Sequence, residues 1–323
     1  MLVSKKIQKN VLLAPHTTFG IGGPAEYFAE PESTEEVREL CLWVCEEEKR
    51  EGKKIPIFVL GGGSNVLVSD KGFNGLVLKN KARNIKVGKN KIFADSGAPL
   101  SKVVSLAVEN GLTGMEWAIG IPGTVGGAVC GNSGACGKQT ADGFKYAKVL
   151  NLEKVRVKKF KKSDCDFCYR DSIFKRDRNL VVLEVAFELK KEKEEKIKER
   201  IKYHAKERAL TAGIGGRSAG CFFKNVDWKR KDINRKRLLQ KFPELKKFSD
   251  KPKISVGFLI DFLGLKEKKI GDAAVSSSHA NFILNSGRAT ADEIMMLVAL
   301  IKNEIYSHYG FGLEEEVQLI GFD

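Results

Sequence analysis

Residues 111–137 read GLTGMEWAIGIPGTVGGAVCGNSGACG, and this glycine-rich stretch decides the fold. A flexible glycine linker carries few apolar side chains, because nothing holds it against a core. Here apolar residues recur between the glycines, namely Met115, Trp117, Ile119, Ile121, Val125 and Val129. The stretch therefore predicts packed turns whose backbone approaches a ligand closely, since glycine has no Cβ and accepts a positive φ. Backbone N–H groups at such turns form concave anion sites.

Composition alone leaves a second interpretation open, a tight bundle of loops inside a core. Two common phosphate motifs are absent from this stretch. A Walker A loop needs a glycine where this chain has Asn132 and a hydroxyl side chain where it has Gln139. The pattern GxGxxG is also missing, both here and in the glycine run LGGGSN at 60–65. The sequence therefore disfavours a dinucleotide-binding Rossmann fold.

The charge balance is strongly basic, with 56 Lys and Arg against 41 Asp and Glu and a net charge of +15. Nucleic-acid-binding proteins concentrate such charge in one patch with interleaved aromatic residues. In this chain of 323 residues the basic side chains are spread along the whole length. We therefore predict no nucleic-acid partner, and we expect the excess charge to suit an anionic small substrate.

Cysteine usage and hydropathy indicate the compartment. Seven cysteines at irregular spacing argue against a disulfide framework and indicate a reducing cytoplasm. We predict no metal site, because the CxxC at 165–168 lacks a second pair of ligands. Residues 1–15 lack the apolar core of a secretory signal. No apolar run reaches the roughly 18 residues of a membrane span, so we predict a cytoplasmic location.

Helical and strand patterns alternate irregularly along the chain, which favours an α+β fold over a doubly wound sheet. A strand within 16–30, a helix from the capping box Ser33–Glu36 to Gly52 and a buried strand at 55–60 predict a β-α-β start. The glycine run 61–63 would then follow a strand end, where open α/β sheets bind ligands. Further predictions are a charged helix at 190–209, an irregular segment at 226–253 and a closing strand at 313–320.

Together these segments resemble the UDP-N-acetylenolpyruvoylglucosamine reductase family, flavoenzymes that complete the muramic acid sugar of bacterial peptidoglycan. Three segments are similar to flavin-binding segments of the vanillyl-alcohol-oxidase type: HTTFGIGGPAEYF (16–28), VLGGGSNVLVSDKGFNGLVL (59–78) and GLTGMEWAIGIPGTVGGAV (111–129). Four are similar to the family's active-site and substrate-domain signatures: YRDSIFK (169–175), SAGCFFKN (218–225), HANFILN (279–285) and LEEEV (313–317). Each signature alone is modest, but their common order over nearly the whole chain is highly specific.

The resemblance implies a two-part FAD-binding module and a C-terminal α+β substrate-binding domain. The implied FAD-binding subdomains are 1–78, joined by the C-terminal end 307–323, and 79–208, and the implied substrate-binding domain is 209–306. The implied activity is that of a UDP-N-acetylmuramate dehydrogenase, which reduces UDP-N-acetylglucosamine enolpyruvate to UDP-N-acetylmuramate. Non-covalently bound FAD, NADPH as reductant, a UDP-sugar substrate and a monomer are implied as well.

The resemblance also implies which residues contact the cofactor and the substrate. The implied FAD contacts are Gly61, Gly62, Gly63, Ser64, Asn65, Ile121, Pro122, Gly123, Gly126 and Gly127. All except Pro122, which has no N–H, would contact it through backbone N–H groups. The implied substrate contacts are Tyr169, Lys224 and Asn225, the last two through phosphate or carboxylate. The family usually continues with proline after this asparagine, whereas this chain has Val226.

Three residues match the family's catalytic positions. Arg170 would stabilise developing negative charge, and Glu316 would stabilise or protonate the enol. Cys221 stands where the family commonly has a serine that donates a proton. A thiol, with a reference pKa of about 8.5, is a stronger acid than a serine hydroxyl, so we expect it to donate readily. Glu314 lies two residues from Glu316 on the same face of the expected strand, which leaves the choice between them open.

A different FAD-dependent oxidoreductase of the same flavoprotein class is the alternative. An alcohol oxidase, for example, would keep the glycine segments but lack the YRDS, SAGCFF and LEEEV set. It would often tether its flavin covalently through a histidine, and nothing in the sequence marks His16 as such a tether.

Overall fold

The structure, a computed structural model, describes residues 6–211 and 216–322. Its strands are β1 Gln8–Leu12, β2 Pro24–Ala29, β3 Ile57–Leu60, β4 Val66–Val68, β5 Phe73–Lys79, β6 Ile85–Val87, β7 Lys91–Asp95, β8 Leu112–Thr113, β9 Gly134–Ala135, β10 Lys138–Gln139, β11 Phe144–Asn151, β12 Arg156–Lys161, β13 Leu180–Glu188, β14 Lys190–Lys191, β15 Val226–Asp227, β16 Lys253–Ile254, β17 Lys269–Ile270, β18 Ala273–Val275, β19 Ile283–Asn285 and β20 Gln318–Ile320. Its α-helices are α1 Thr34–Glu51, α2 Leu100–Glu109, α3 Val125–Cys130, α4 Thr140–Gly143, α5 Ile173–Arg176, α6 Glu194–Thr211, α7 Arg235–Lys241, α8 Val256–Phe262 and α9 Ala291–Tyr309. Short 3₁₀ turns cover Ala14–His16, Glu116–Ala118, Lys162–Asp164 and Pro243–Phe248.

The described residues form two compact units, each built from separate stretches of chain. The first unit contains residues 6–13, 24–63 and 72–209, and the second contains 14–23, 64–71, 210–211 and 216–322. Mixed parallel and antiparallel pairing occurs together with helices that do not alternate regularly with strands. These features confirm the α+β fold class.

The first sheet of the first unit has the order β1-β2-β5-β3. Strand β1 is antiparallel to β2, whereas β5 is parallel to both β2 and β3. Helix α1 connects β2 to β3, so the sequence-based prediction of a β-α-β start is confirmed. Its apolar face, including Leu40 and Val44, packs with Tyr27 and Leu76 in one buried cluster. The glycine run 61–63 therefore directly follows β3, which is parallel to β5 at one edge of this sheet.

Helix α1 begins and ends as its sequence indicates. The Ser33 hydroxyl accepts the N–H of Glu36 at 3.1 Å, which satisfies a first-turn donor. The helix ends at Gly52, which has a φ of 66° and donates its N–H to the carbonyl of Glu48. The Glu36 carboxylate accepts the N–H of Glu32, not that of Ser33, so the expected capping box is only half formed.

The second sheet of the first unit is antiparallel throughout, in the order β12-β11-β13-β7-β6. Its β6–β7 hairpin turns at Gly88, whose N–H donates to the carbonyl of Lys91. One sheet face packs on α2 and α3, with Val103, Val129, Val149 and Phe187 all fully buried. The apolar side chains of the glycine-rich stretch pack in this core.

The second unit has a core formed chiefly by α8, α9 and the segments around residue 222. Phe222, Leu259, Leu297 and Phe311 are almost completely buried in it. Strands β17, β18 and β19 form an antiparallel sheet, and β4 and β20 form a parallel pair. Helix α9 begins with a complete capping box, formed by Thr290 and Glu293.

Three predictions of secondary structure are wrong in detail. The closing strand is only Gln318–Ile320, because residues 313–317 form isolated bonds with the segment around Phe223 and no continuous ladder. The segment 226–253 is not irregular, since it contains α7, whose N-cap Asn234 accepts the N–H of Arg237. The charged helix begins at Glu194, because residues 190–191 pair with β8.

Candidate active site

Two glycine turns of the first unit lie against each other with no room for side chains. A Cβ on Gly62 would lie 2.8 Å from the Cα of Gly123, and a Cβ on Gly61 would lie 2.4 Å from Oγ1 of Thr124. Real Cβ contacts are not that short, so glycine is required at both positions. Gly63, with a φ of 68°, completes the first turn directly after β3. The backbone of Gly62 and the ring of Pro122 are exposed, so the outer side of this paired turn is accessible.

The second turn leads into α3 and is fixed by hydrogen bonds to its neighbours. The N–H of Gly126 donates to the carbonyl of Ser96 at 2.7 Å, and the N–H of Gly127 donates to the N-cap hydroxyl of Thr124 at 3.3 Å. A Cβ on Gly126 would lie 2.8 Å from the Cβ of Ser96. These two amides therefore have protein acceptors. The role of Gly126 in this structure is to let the start of α3 pack closely against Ser96.

The segment before α3 is equally constrained. Ile121 donates its N–H to Ala118, and the carbonyl of Gly123 accepts the N–H of Leu100 at 3.1 Å. Gly120 and Gly123 have φ values of 69° and 121°, which favour glycine. The paired turns thus form an accessible, glycine-rich backbone surface that hydrogen bonds hold in place. Such a surface fits a cofactor with a pyrophosphate, which needs close approach of the main chain.

Arg170 lies at the tip of a tight hairpin in the first unit. Cys168 and Asp171 exchange backbone hydrogen bonds of 3.0 and 3.3 Å, which places Tyr169 and Arg170 between them. The Nη2 of Arg170 donates to the carbonyl of Gly134 at 2.6 Å, and its guanidinium lies 5.5 Å from the centre of the Tyr169 ring. Its φ of 57° is unusual for a residue with a side chain. The side chain is therefore held in one direction by its surroundings.

Cys221 and Glu316 lie on neighbouring ribbons of the second unit. Cys221 forms a β-bridge with Phe282, and the next residue, Phe222, donates its N–H to Asn281 at 2.7 Å. On the other side, the carbonyl of Phe222 accepts the N–H of Glu316 at 2.8 Å. Both Cys221 and Glu316 are half-buried. Backbone pairing therefore brings two of the three predicted catalytic residues to adjacent positions.

Ion pairs distinguish the glutamates that precede Val317. Glu314 lies 3.5 Å from Nζ of Lys224 and 3.7 Å from the guanidinium of Arg230, and its side chain is 58% exposed. Glu315 pairs with Lys302 at 2.8 Å. Glu316 is the one whose backbone is paired beside Cys221. Glu314 and Glu315 are thus engaged in ion pairs, and Lys224 has a protein partner in Glu314.

Asn65 and Asn225, which were predicted to contact ligands, form hydrogen bonds that join backbone segments of the second unit. The Nδ2 of Asn65 donates to the carbonyl of Glu316 at 3.3 Å, and the carbonyl of Asn65 accepts the N–H of Gln318 at 3.0 Å. The Oδ1 of Asn225 accepts the N–H of Val256 at 3.1 Å, at the start of α8. Ser64 precedes Asn65 and is half-buried.

Asn281 is a positioning residue that the sequence analysis did not single out. Its Nδ2 donates to the carbonyl of Phe223 at 2.8 Å and its Oδ1 accepts the N–H of Phe223 at 3.0 Å. The side chain is 3% exposed. Its carboxamide binds the backbone of the ribbon that carries Cys221, as the backbone of a neighbouring strand would. The segment HANFILN contained the signal, because an asparagine within an apolar strand pattern needs a partner.

His279, two residues earlier, gives the second unit a pH dependence. Burial lowers the pKa of His279, with a smaller contribution from Lys266, and its Nδ1 accepts the N–H of Asn281 at 3.3 Å. Because the folded state disfavours the charged ring, stability is fully present above the unfolded pKa of about 6.5 and is lost as pH falls below it. We expect the wild type to lose more unfolding free energy between pH 7.5 and 5.5 than His279→Gln. Denaturant titrations at both pH values measure the difference, and equal losses would contradict the prediction.

Metal and membrane features are not found in the part of the chain that the structure describes. Across residues 6–211 and 216–322, no group of three or more His, Cys, Asp or Glu side chains could hold a metal ion. In the same ranges, no helix is long and apolar enough to cross a membrane. Burial raises the pKa of Cys165, one member of the CxxC pair, to about 12.

Comparison with known proteins defines the class first. Residues 25–157 match the family model of the FAD binding domain, and they contain the paired glycine turns. The fold and this match define an FAD-binding oxidoreductase. Residues 211–320 match the model of the C-terminal domain of UDP-N-acetylenolpyruvoylglucosamine reductase, and they contain Cys221 and Glu316.

Full-length relatives then define the family. The chain is 35% identical over 322 residues to the UDP-N-acetylenolpyruvoylglucosamine reductase of Syntrophomonas wolfei, covering 99% of this chain and 97% of that one. It is 35% identical to the same enzyme of Protochlamydia amoebophila, covering 100% and 97%. The crystal structure of this reductase from Thermus caldophilus superposes with a TM-score of 0.75 at 29% identity, covering 97% and 99%. The chain belongs to the UDP-N-acetylenolpyruvoylglucosamine reductase family.

Proposed function

We propose that this chain reduces UDP-N-acetylglucosamine enolpyruvate to UDP-N-acetylmuramate, a step of peptidoglycan precursor synthesis, with bound FAD and with NADPH as reductant. Family membership over the full chain supports the activity. The structural observation that carries the proposal is the ribbon pairing in which Phe222, the residue after Cys221, accepts the N–H of Glu316. FAD held at the paired glycine turns around Gly62 and Gly123 would supply the hydride chemistry that links NADPH to the enolpyruvyl double bond.

Arg170 stabilises the charge that this addition creates. Once the terminal carbon gains a hydride, negative charge develops on the adjoining carbon and on its carboxylate. A guanidinium is charged at every relevant pH and binds a carboxylate bidentately. Because the Arg170 side chain is already oriented by the carbonyl of Gly134, little reorganisation is needed as the charge forms.

Cys221 completes the reaction by proton transfer. Its Sγ–H donates a proton to the adjoining carbon, so that hydride and proton have together saturated the double bond. The thiolate then takes a proton from solvent. Glu316 hydrogen-bonds the enol oxygen and keeps it in place during the transfer. We assign the UDP-sugar contacts to Tyr169, Lys224 and Asn225.

The location, oligomeric state and domain organisation belong to the same proposal. We assign the enzyme to the cytoplasm, where NADPH and nucleotide sugars are made, and we expect a monomer. The FAD-binding subdomains are proposed at 1–78 with 307–323 and at 79–208, and the substrate-binding domain at 209–306. The ten residues named from the sequence are the proposed FAD contacts. Ile121, Gly126 and Gly127 would contact the cofactor by close approach, because their N–H groups have protein acceptors.

Anaerobic stopped-flow absorbance tests the activity in two halves. NADPH is expected to bleach the flavin of the purified holoenzyme, and the enolpyruvyl sugar is expected to restore the colour at a rate that supports turnover. UDP-N-acetylglucosamine, which lacks the double bond, is the matched control and leaves the flavin reduced. Flavin that is reduced by simple alcohols, and that this sugar does not reoxidise, would identify a different oxidoreductase of the same class.

A further inference from the structure

The buried carboxamide of Asn132 joins the hairpin that carries Arg170 to two other segments of the first unit. Its Nδ2 donates to the carbonyl of Cys168 at 2.7 Å and to Oε1 of Gln139 at 3.0 Å. Its Oδ1 accepts the N–H of Ala141 at 3.1 Å. The residue is 0% exposed, so water cannot replace any of these bonds. Three bonds leave the carboxamide no freedom to turn.

The two backbone partners determine which end of the carboxamide faces which segment. The N–H of Ala141 can only donate, and the carbonyl of Cys168 can only accept. The amide oxygen must therefore face Ala141, and the amide nitrogen must face Cys168. An aspartate of the same shape would place a carboxylate oxygen against the carbonyl of Cys168. The position consequently requires an asparagine, not merely a polar side chain of that size.

The same short segment holds both the base and the tip of the hairpin. Asn132 binds the base at Cys168, while the carbonyl of Gly134, two residues later, accepts from the Arg170 guanidinium at 2.6 Å. A further attachment comes from Ser172, which is 0% exposed and donates from Oγ to the carbonyl of Cys130 at 2.7 Å. The hairpin is thus fixed to the end of α3.

Helix α3 connects this attachment to the glycine turn. It has six residues, which span about 9 Å at 1.5 Å per residue. Its first turn carries Gly126 and Gly127, and Asn132 lies two residues beyond its last residue, Cys130. Asn132 has a φ of 41°, a left-handed conformation that asparagine and glycine adopt more easily than other residues. Backbone and side chain therefore both select the residue at this position.

We propose that Asn132 is a positioning residue for Arg170, which it orients through the Cys168 carbonyl. The inference rests on the proposed function, in which Arg170 stabilises charge on the substrate carboxylate. Displacing the hairpin moves the guanidinium away from that carboxylate and leaves the glycine turns unchanged. Reduction of the flavin by NADPH is therefore independent of Asn132, and reoxidation by the enolpyruvyl sugar depends on it.

The variant Asn132→Gly tests the proposal, because glycine keeps the left-handed backbone and removes only the carboxamide. We expect reoxidation to slow by roughly 10- to 100-fold, the scale of a misplaced catalytic group, with flavin reduction by NADPH unchanged. Asn10→Gly is the matched control, since Asn10 has a φ of 55° and is exposed in β1 of the same unit. Both half-reactions of the control stay at wild-type rates. Asn132→Asp, which is expected to behave as Asn132→Gly, replaces it if the glycine variant does not fold.

A double-mutant cycle with Arg170→Ala separates this inference from the proposed function. If Asn132 acts through Arg170, adding Asn132→Gly to Arg170→Ala slows reoxidation no further. Independent, multiplying effects, or wild-type reoxidation by Asn132→Gly while Arg170→Ala is slow, would overturn the positioning role alone. Wild-type reoxidation by Arg170→Ala would overturn the proposed role of Arg170, and this inference with it.

Discussion

Replacing Cys221 with alanine is expected to slow reoxidation of the reduced flavin by the enolpyruvyl sugar by about 10²- to 10⁴-fold, the usual contribution of a general acid. Reduction of the flavin by NADPH is expected to proceed at the wild-type rate, because that step needs no proton from this thiol. The loss should therefore be confined to one half of the catalytic cycle. Anaerobic stopped-flow absorbance at the flavin bands measures both halves in one sample.

Cys221→Ser is the matched variant, because it restores a proton on an atom of similar position. The serine hydroxyl is a weaker acid than the thiol, yet its proton can still be passed to the carbanionic carbon, so most activity is retained. The backbone bonds around Cys221 use main-chain atoms, and neither substitution removes them. Full turnover by Cys221→Ala would remove the thiol from the mechanism.

Replacing Gly62 with alanine is expected to weaken FAD binding at least about tenfold, which is about 1.4 kcal/mol. The added Cβ would lie 2.8 Å from the Cα of Gly123, a main-chain atom that cannot rotate away. The two glycine turns must therefore separate, and overpacking of this kind typically costs about 1–3 kcal/mol. Fluorescence titration of the apoprotein with FAD measures the change without any turnover.

Gly88→Ala is the control for that experiment. Gly88 belongs to the first unit, and the nearest protein atom to its added Cβ lies 3.7 Å away, an ordinary contact. Its FAD affinity should equal that of the wild type. Circular dichroism checks that both variants fold. If folded Gly62→Ala bound FAD as tightly as the control, the paired turns would not be the cofactor site.

Local chemistry explains why part of the fold could be predicted from the sequence. Ser33 and Gly52 limit α1, and Thr290 opens α9, because caps act within one turn of helix. The position of the glycine run after β3 was predicted for the same reason. The sequence could predict that position 62 needs a glycine. It could not predict that Gly123, far along the chain, is the residue that packs against Gly62, and only the structure identifies this contact.

Non-local pairing explains what the sequence did not show. Residues 313–317 alternate as a strand would, yet their bonds go to the ribbon of Phe222, and this arrangement pairs Glu316 with the residue that follows Cys221. Strand β4 has only three residues and gains its partner from β20. Asn132 and Asn281 bind backbone groups that lie far away in the sequence. The identity of these residues as asparagines therefore predicts only a turn or a helix cap.

The pairing of β4 with β20 has a consequence for how this polypeptide matures during synthesis. The bond from Asn65 to Glu316 joins residues 251 positions apart, and β4 itself has no other strand partner among the described residues. Contacts of such long range form slowly, and domains assemble as their chain emerges. The second unit therefore cannot close on a nascent chain before translation reaches its last strand. Until then, the ribbon that carries Cys221 lacks the backbone hydrogen bonds that Glu314 and Glu316 supply.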